Sequence, residues 1–330
     1  MTAPARKVWL ALGVIYFVWG STYLGIKIAV ETLPPLLTAG TRFLTAGLIL
    51  VLILALRGRG LRISSRELLS SALVGLLLLT LGVGVVHVAE TRIDSSIAAM
   101  IAGTVPLQVI LMRTVTGDRV SRALRLGTAV GLVGLALVVL PGLGSGSTAV
   151  GLLVMVAASI SWSIGSFLSP RLTMPRDPFV ASAYEMLAGG VFLTAAALAL
   201  GQWRDLGGGA ITAGSAAAWV YLVVAGSLVG FTAYAWLLRA APISLVVTHQ
   251  YVNPLVAIAL GMLFLSERPS PFTLAGAALV IGAVYIAVRS EAPGAPSGNA
   301  APSATSEKRA SQGRRKPQYL NGIGATEDAG

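Results

Sequence analysis

Marked only for apolar and polar positions, the chain is a series of long hydrophobic runs separated by short polar breaks. Ten runs can be drawn, at residues 8–28, 35–56, 68–89, 95–115, 122–140, 149–168, 178–200, 215–238, 243–264 and 271–288. A helix rises about 1.5 Å per residue and the hydrocarbon core of a bilayer is about 30 Å thick, so runs of this length predict spanning helices. The breaks carry turn and stop chemistry: Pro34-Pro35, Arg57 to Arg66, Pro141-Gly142, Pro175 to Pro178, Gly207-Gly208-Gly209 and Pro269 to Pro271. The pattern predicts an all-α integral membrane protein with ten transmembrane helices. From Ser290 onward no apolar period remains, and the Ala, Pro, Ser and Gly content predicts a disordered tail over 291–330.

One run is interrupted from within. The ninth holds Thr248-His249-Gln250-Tyr251-Val252-Asn253-Pro254, where polar groups face a cavity or a partner helix because lipid cannot satisfy them. Pro254 has no N–H and leaves the carbonyl of Gln250 without its helical donor. That carbonyl, with the side chains of Gln250 and Asn253 at i, i+3 spacing, forms a cluster that a solute can use.

Composition agrees with the pattern: 55% of residues are hydrophobic and 11% charged, and the mean hydropathy is +0.81. A soluble enzyme is excluded. The net charge of +11 does not point to nucleic acid, because the basic residues lie in short clusters between apolar runs. With the N-terminus inside, those clusters fall on the cytoplasmic side: Arg6 and Lys7, Arg57 to Arg66, Arg113 to Arg125, Arg171, Arg176, Arg239 and Arg289. The outer loops keep Arg92, Arg204 and Arg268, so both termini are expected in the cytoplasm. Zero cysteines exclude disulfides, thiolate metal sites and a cysteine nucleophile. The first run has no convincing cleavage site and reads as an uncleaved span.

The chain also repeats itself. Trp19, Arg42 and Gly47 match Trp162, Glu185 and Gly190 at identical separation, Pro106 matches Pro254, and Gly117-Asp118 matches Ser266-Glu267. Two halves of five spans each must lie in opposite orientations, the inverted-repeat plan of many secondary transporters. The repeats are assigned to residues 1–140 and 141–290, ahead of the tail.

Phe17-Val18-Trp19-Gly20-Ser21, Arg42-Phe43, a proline in spans four and nine, and Ser266-Glu267 before a Gly-rich last span resemble the EamA family of the drug/metabolite transporter superfamily. The resemblance covers about residues 8–288. It implies ten helices, an inner cavity shared by the two halves, and export of amino acids or related metabolites across the inner (plasma) membrane. Two departures stand out. Gly117-Asp118 replaces the usual Gly-Glu, and Ser266 stands where the second half would carry glycine, so these loops are expected to turn differently.

Several side chains are candidates for the solute site. Trp19 and Trp162 fall near the middles of their spans, away from the interface belts where membrane tryptophans anchor. They read as pocket walls, with helix packing as the alternative. Gln108 lies just beyond Pro106 near mid-depth; with His249, Gln250 and Asn253 it either binds a zwitterionic solute or ties helices together. Arg42 and Glu185 are formal charges deep in spans, yet helix rise leaves a depth gap of about 10 Å between them, so separate environments are expected. Glu185 is a candidate for proton coupling, with a structural carboxyl as the alternative. Lys27 ends span one and can snorkel outward. His87 and Glu90 are too few for a metal site, and no metal or cofactor is expected.

The leading function is a secondary transporter exporting small amphipathic metabolites such as amino acids by alternating access. Its expected partners are a small-molecule substrate and the lipid bilayer, with no nucleic acid; a homodimer stays open. The alternatives are a membrane binding or scaffold protein without transport, and an intramembrane enzyme. No paired catalytic constellation or phosphate-binding Gly-rich loop supports the last. An organic phosphate is disfavoured, because the ninth span offers His249 and Gln250 and not Lys or Arg.

Overall fold

The computed structural model describes residues 5–117, 121–142, 146–207, 209–241, 246 and 249–291, apart from the side chains of 123, 142, 146, 147, 207, 235, 238, 239, 250, 251, 284 and 287–291. The expected tail, Asp118 and the start of the ninth run therefore lie outside the described residues.

The described residues are helical throughout, with no strand. The principal helices are α1 (Ala5–Ala29), α2 (Pro35–Leu56), α3 (Ser65–Ala89), α4 (Ser95–Val115), α5 (Arg122–Val139), α6 (Gly146–Leu168), α7 (Pro178–Ala199), α8 (213–240), α9 (His249–Phe264) and α10 (Pro271–Glu291). Seven described helices are long and apolar enough to cross a membrane, and shorter apolar stretches accompany them at Leu124–Val139, Val252–Phe264 and Pro271–Ala283. The outward faces are apolar as well: Leu52, Leu69, Leu153, Val191 and Leu263 stand exposed where a soluble protein would place charge.

Helix starts follow the sequence's own signals. Pro35 and Pro178 occupy first-turn positions, where the missing N–H costs nothing. Ser64 caps α3 in a reciprocal arrangement with Glu67, and Ser121 caps α5. The cap of α4 comes from far away. Asp94 supplies no side-chain cap; burial and the facing Glu267 carboxylate push its carboxyl above the usual range, against Lys27. Glu267, from the α9–α10 loop, accepts from Ser95 N at 2.7 Å, Ser95 Oγ at 2.7 Å and Ser96 N at 3.1 Å.

Helix pairing follows the two matched halves. α2 packs along α7, and α5 along α10. At the first crossing a Cβ on Gly190 would meet Leu44 N at 2.7 Å, and one on Gly47 would meet Leu187 N at 3.1 Å, so these matched glycines let the helices approach. At the second the contact is reciprocal: a Cβ on Gly134 would lie 2.8 Å from Gly276 O, and one on Gly276 would lie 2.6 Å from Gly134 O. Packing without a hydrophobic drive between helices depends on such small residues. At Gly127 the spacing is ordinary, the nearest neighbour of a Cβ there being Ala283 O at 3.6 Å.

The halves also share a feature that sequence pattern does not announce. α3 contains a π-helical stretch, Gly75–Gly84, and α8 contains another, Leu222–Val229, at the corresponding place. Such stretches are rare and concentrate at functional sites. Each offers a carbonyl to the opposite half: Leu77 O accepts from Ser161 Oγ at 2.9 Å, and Gly226 O accepts from Trp19 Nε1 at 3.2 Å.

Lys27 Nζ donates to the carbonyls of Glu90 at 2.7 Å and Ile93 at 2.8 Å, capping the end of α3. Where the two matched loops are described, they share one backbone feature. Ser266 has φ of 55° and Gly117 has φ of 87°, so serine is held in the left-handed region that its matched glycine occupies freely.

Candidate functional site

A cavity of about 110 Å³ lies among α1, α2, α3, α4, α6, α8 and α9, with residues of both halves in its wall. A water needs about 10–15 Å³ on such a measure, so the space suits a solute of several heavy atoms. Its location follows from local irregularity. The π-helical stretches bring Gly82 and Gly226 to the wall. α4 breaks after Ala102 and resumes at Val105, both wall residues. Pro106 sits just inside the resumed helix and leaves Ala102 O without its helical donor. α9 keeps Pro254 inside a continuous helix, and the proline ring packs where a Cβ on Gly103 would be, at 2.9 Å.

The tryptophans singled out by the repeat both line this cavity. Trp19 is fixed on every side: its Nε1 donates to Gly226 O, and its ring meets Phe231 at 5.5 Å, Tyr234 at 5.1 Å and His249 at 5.1 Å. Glycine at position 230 makes room for it, since a Cβ there would lie 2.3 Å from Trp19 Nε1. Trp162 leans on Gly82 in the same way, with a Cβ distance of 3.1 Å. Each tryptophan is thus both packed and exposed to the cavity, so the two readings of the sequence describe different faces of one ring.

His249 and Asn253 join them on the wall. His249 is buried, with Nδ1 2.9 Å from the carbonyl of Val246. With the Asn253 amide oriented so that its nitrogen faces the surrounding acceptors, it donates to His249 O at 3.1 Å and Tyr16 O at 3.3 Å, which ties α9 to α1 and leaves the amide oxygen as an acceptor. The side chain of Gln250 lies outside the described residues. Gln108 stands behind the wall: its Nε2 donates to Thr104 Oγ1 and Ser159 Oγ, each at 2.9 Å, and its Oε1 accepts from Ser163 Oγ at 2.9 Å. Of these partners Ser159 lines the cavity.

Arg42 and Glu185 keep separate surroundings. Arg42 is 3% exposed, yet it lines the cavity, donating from Nε to Ser227 Oγ at 3.0 Å. Glu185 does not line it; on α7 its backbone runs against Gly75, with its carbonyl 2.5 Å from where a Cβ would be. Depth along a helix told how far each charge lies from the surface but not which way it faces. An arginine on the wall therefore escaped the sequence argument, which looked for a cation in the ninth span. Its matched position opposite Glu185 was the available signal. Among the described residues no group of three or more His, Cys, Asp or Glu is arranged to hold a metal ion.

Comparison with known proteins agrees with this architecture. The pattern of the EamA-like transporter family matches residues 7–140 and again 149–289. The chain is 40% identical over 255 residues to the uncharacterized inner membrane transporter YedA of Escherichia coli K12, covering 76% of this chain and 80% of YedA. It is 25% identical to the chloroplastic WAT1-related protein At3g02690 of Arabidopsis thaliana, covering 84% of this chain and 68% of that one. With the uncharacterized transporter YvbV of Bacillus subtilis the identity is 26%, covering 86% and 92%. A solved crystal structure superposes with a TM-score of 0.59 at 20% identity, over 86% of this chain and 98% of that one, a likeness of fold alone. With both halves matched in turn, the chain belongs to the EamA-like transporter family.

Proposed function

We propose that the chain is a secondary transporter of the inner membrane that exports small amphipathic metabolites, such as amino acids or their derivatives. In this reading ten helices cross the bilayer, the two five-helix repeats are inverted, and both termini are cytoplasmic. The observation that carries it is the cavity shared by both halves, with a matched tryptophan from each in its wall. A site between inverted repeats at a helix discontinuity is where alternating access exposes a solute to one side and then the other. Trp19 and Trp162 are the apolar walls, His249 and Asn253 the polar contacts, and Gln108 acts through Ser159. Gln250 adds its free backbone carbonyl. Glu185, away from the cavity, is a coupling candidate that acts through the packing of α3 against α7.

Efflux from proteoliposomes loaded with amino acids, purines or cationic drugs tests the reading. The expected result is protein-dependent efflux of at least one solute, with weakened apparent affinity in Trp19→Ala and Trp162→Ala. Binding without efflux of any solute would contradict transport. Loss of thermal stability in both variants with unchanged affinity would make the tryptophans packing residues only.

A further inference from the structure

We infer that the cavity takes its solute by a carboxylate group, with the guanidinium of Arg42 as the anchor. The inference rests on the transport reading for its biological sense and on the geometry of α2 and α8 for its chemistry. Arg42 is 3% exposed, and its Nη1 has no hydrogen-bond partner among the described residues. Ser227 Oγ holds Nε at 3.0 Å, and the Phe43 ring lies 4.9 Å from Cζ, so the guanidinium is fixed in orientation while Nη1, buried beside the cavity, is left without a partner. A guanidinium keeps its charge where a lysine would shed it, and burial without a partner costs several kcal/mol. A ligand oxygen at Nη1 removes that cost.

No carboxylate forms a direct ion pair with Arg42 among the described residues. The ion pair of Arg59 with Asp177 lies on other elements. No acidic side chain is among the described residues lining the cavity. Glu90, fully buried at the end of α3 with both carboxyl oxygens also unpartnered, makes no ion pair with Arg42 and does not line the cavity. A cationic amphiphile would meet Arg42 with no carboxylate to offset it. A phosphate dianion would bring a second charge that no other Lys or Arg in the described wall can pair. A single carboxylate matches the single guanidinium. The rest of the wall, with Trp19, Phe43, Trp162 and Phe231, fits an aromatic or branched apolar body. Where that body carries an ammonium group, the amide oxygen of Asn253 is the acceptor on the same wall.

The test uses the full chain in nanodiscs and four probes on one phenyl body: phenylacetate, phenylalanine, phenethylamine and phenyl phosphate. Ligand-induced shifts in melting temperature, titrated, give apparent affinities for each. The expected result is stabilisation by phenylacetate, phenylalanine or both, with phenethylamine and phenyl phosphate about tenfold or more weaker, the worth of one charge-assisted hydrogen bond. Binding of phenylalanine alone identifies an amino acid as the source of the carboxylate, and binding of phenylacetate an organic acid. Arg42→Gln should erase the preference over phenethylamine, and Arg42→Lys should retain part of it. Phenethylamine or phenyl phosphate binding as well as the carboxylates, or neither carboxylate binding, overturns the inference; this comparison uses the unaltered protein and stands even if Arg42→Gln fails to fold. A folded Arg42→Gln with unchanged carboxylate affinity also overturns it. Carboxylate binding without efflux from loaded proteoliposomes would overturn the transport reading alone, whereas preferred efflux of phenethylamine would overturn the anchor alone.

Discussion

Glu267→Ala removes the cap on which α4 depends, and the structure sets the size of the effect. The carboxylate accepts three hydrogen bonds, from Ser95 N, Ser95 Oγ and Ser96 N, at 2.7, 2.7 and 3.1 Å. Ser95 and Ser96 are buried, so water does not replace the lost acceptor. Loss of an ordinary exposed cap costs about 0.5–2 kcal/mol, and each buried donor left unmade costs about 1–3 kcal/mol. Because the bonds share one carboxylate their costs do not add in full, and about 2–4 kcal/mol is expected for alanine. Glu267→Gln keeps one oxygen but turns an N–H₂ toward Ser96 N, and should cost about half as much. Gly261→Ala should act in the same direction without touching the acid, because its Cβ would lie 2.4 Å from Glu267 Oε2. Reversible unfolding in mixed detergent micelles measures all three. A Glu267→Ala protein within about 0.5 kcal/mol of the parent, the range of an ordinary surface substitution, would refute the cap.

Two further substitutions probe the backbone. Ser266→Gly should raise stability by up to about 1 kcal/mol in the same unfolding assay, because relief of left-handed strain of about 1–2 kcal/mol outweighs the extra freedom of glycine in the unfolded chain; a drop would mean that the serine side chain contributes more than the strain costs. Gly276→Ala should lower the melting temperature, since its Cβ meets the carbonyl of Gly134 at 2.6 Å, whereas Gly282→Ala, with nothing within 4 Å, should not. Equal behaviour of the two would contradict the close crossing of α5 and α10.

How much of this was legible in the sequence depends on what kind of information each feature needs. The apolar runs mark the helices because lipid forbids unpaired backbone, and Pro35, Pro178 and Ser64 mark starts by local chemistry. Gly47 and Gly190, matched by spacing, do stand at one helix crossing. Trp19, Trp162, His249 and Asn253 line one cavity. The rest depends on rotation and on distant partners. Helix rise gives depth but not facing, which is why Arg42 on the wall was missed. Lys27 and Glu267 cap helices far away in sequence, and a π-helical stretch of Leu, Val and Gly has the same composition as an α-helical one.

The central claim is that Trp19, Trp162 and Asn253 face one aqueous solute pathway, and thiol accessibility tests it most directly. The chain has no cysteine, so each of the three can be replaced singly by Cys in an otherwise silent background. In inserted protein shown to be active by efflux, the account predicts that a small aqueous thiol reagent labels these positions and that transported solute slows the labelling. If none of the three reacts, or if solute protects none of them, the shared pathway is wrong.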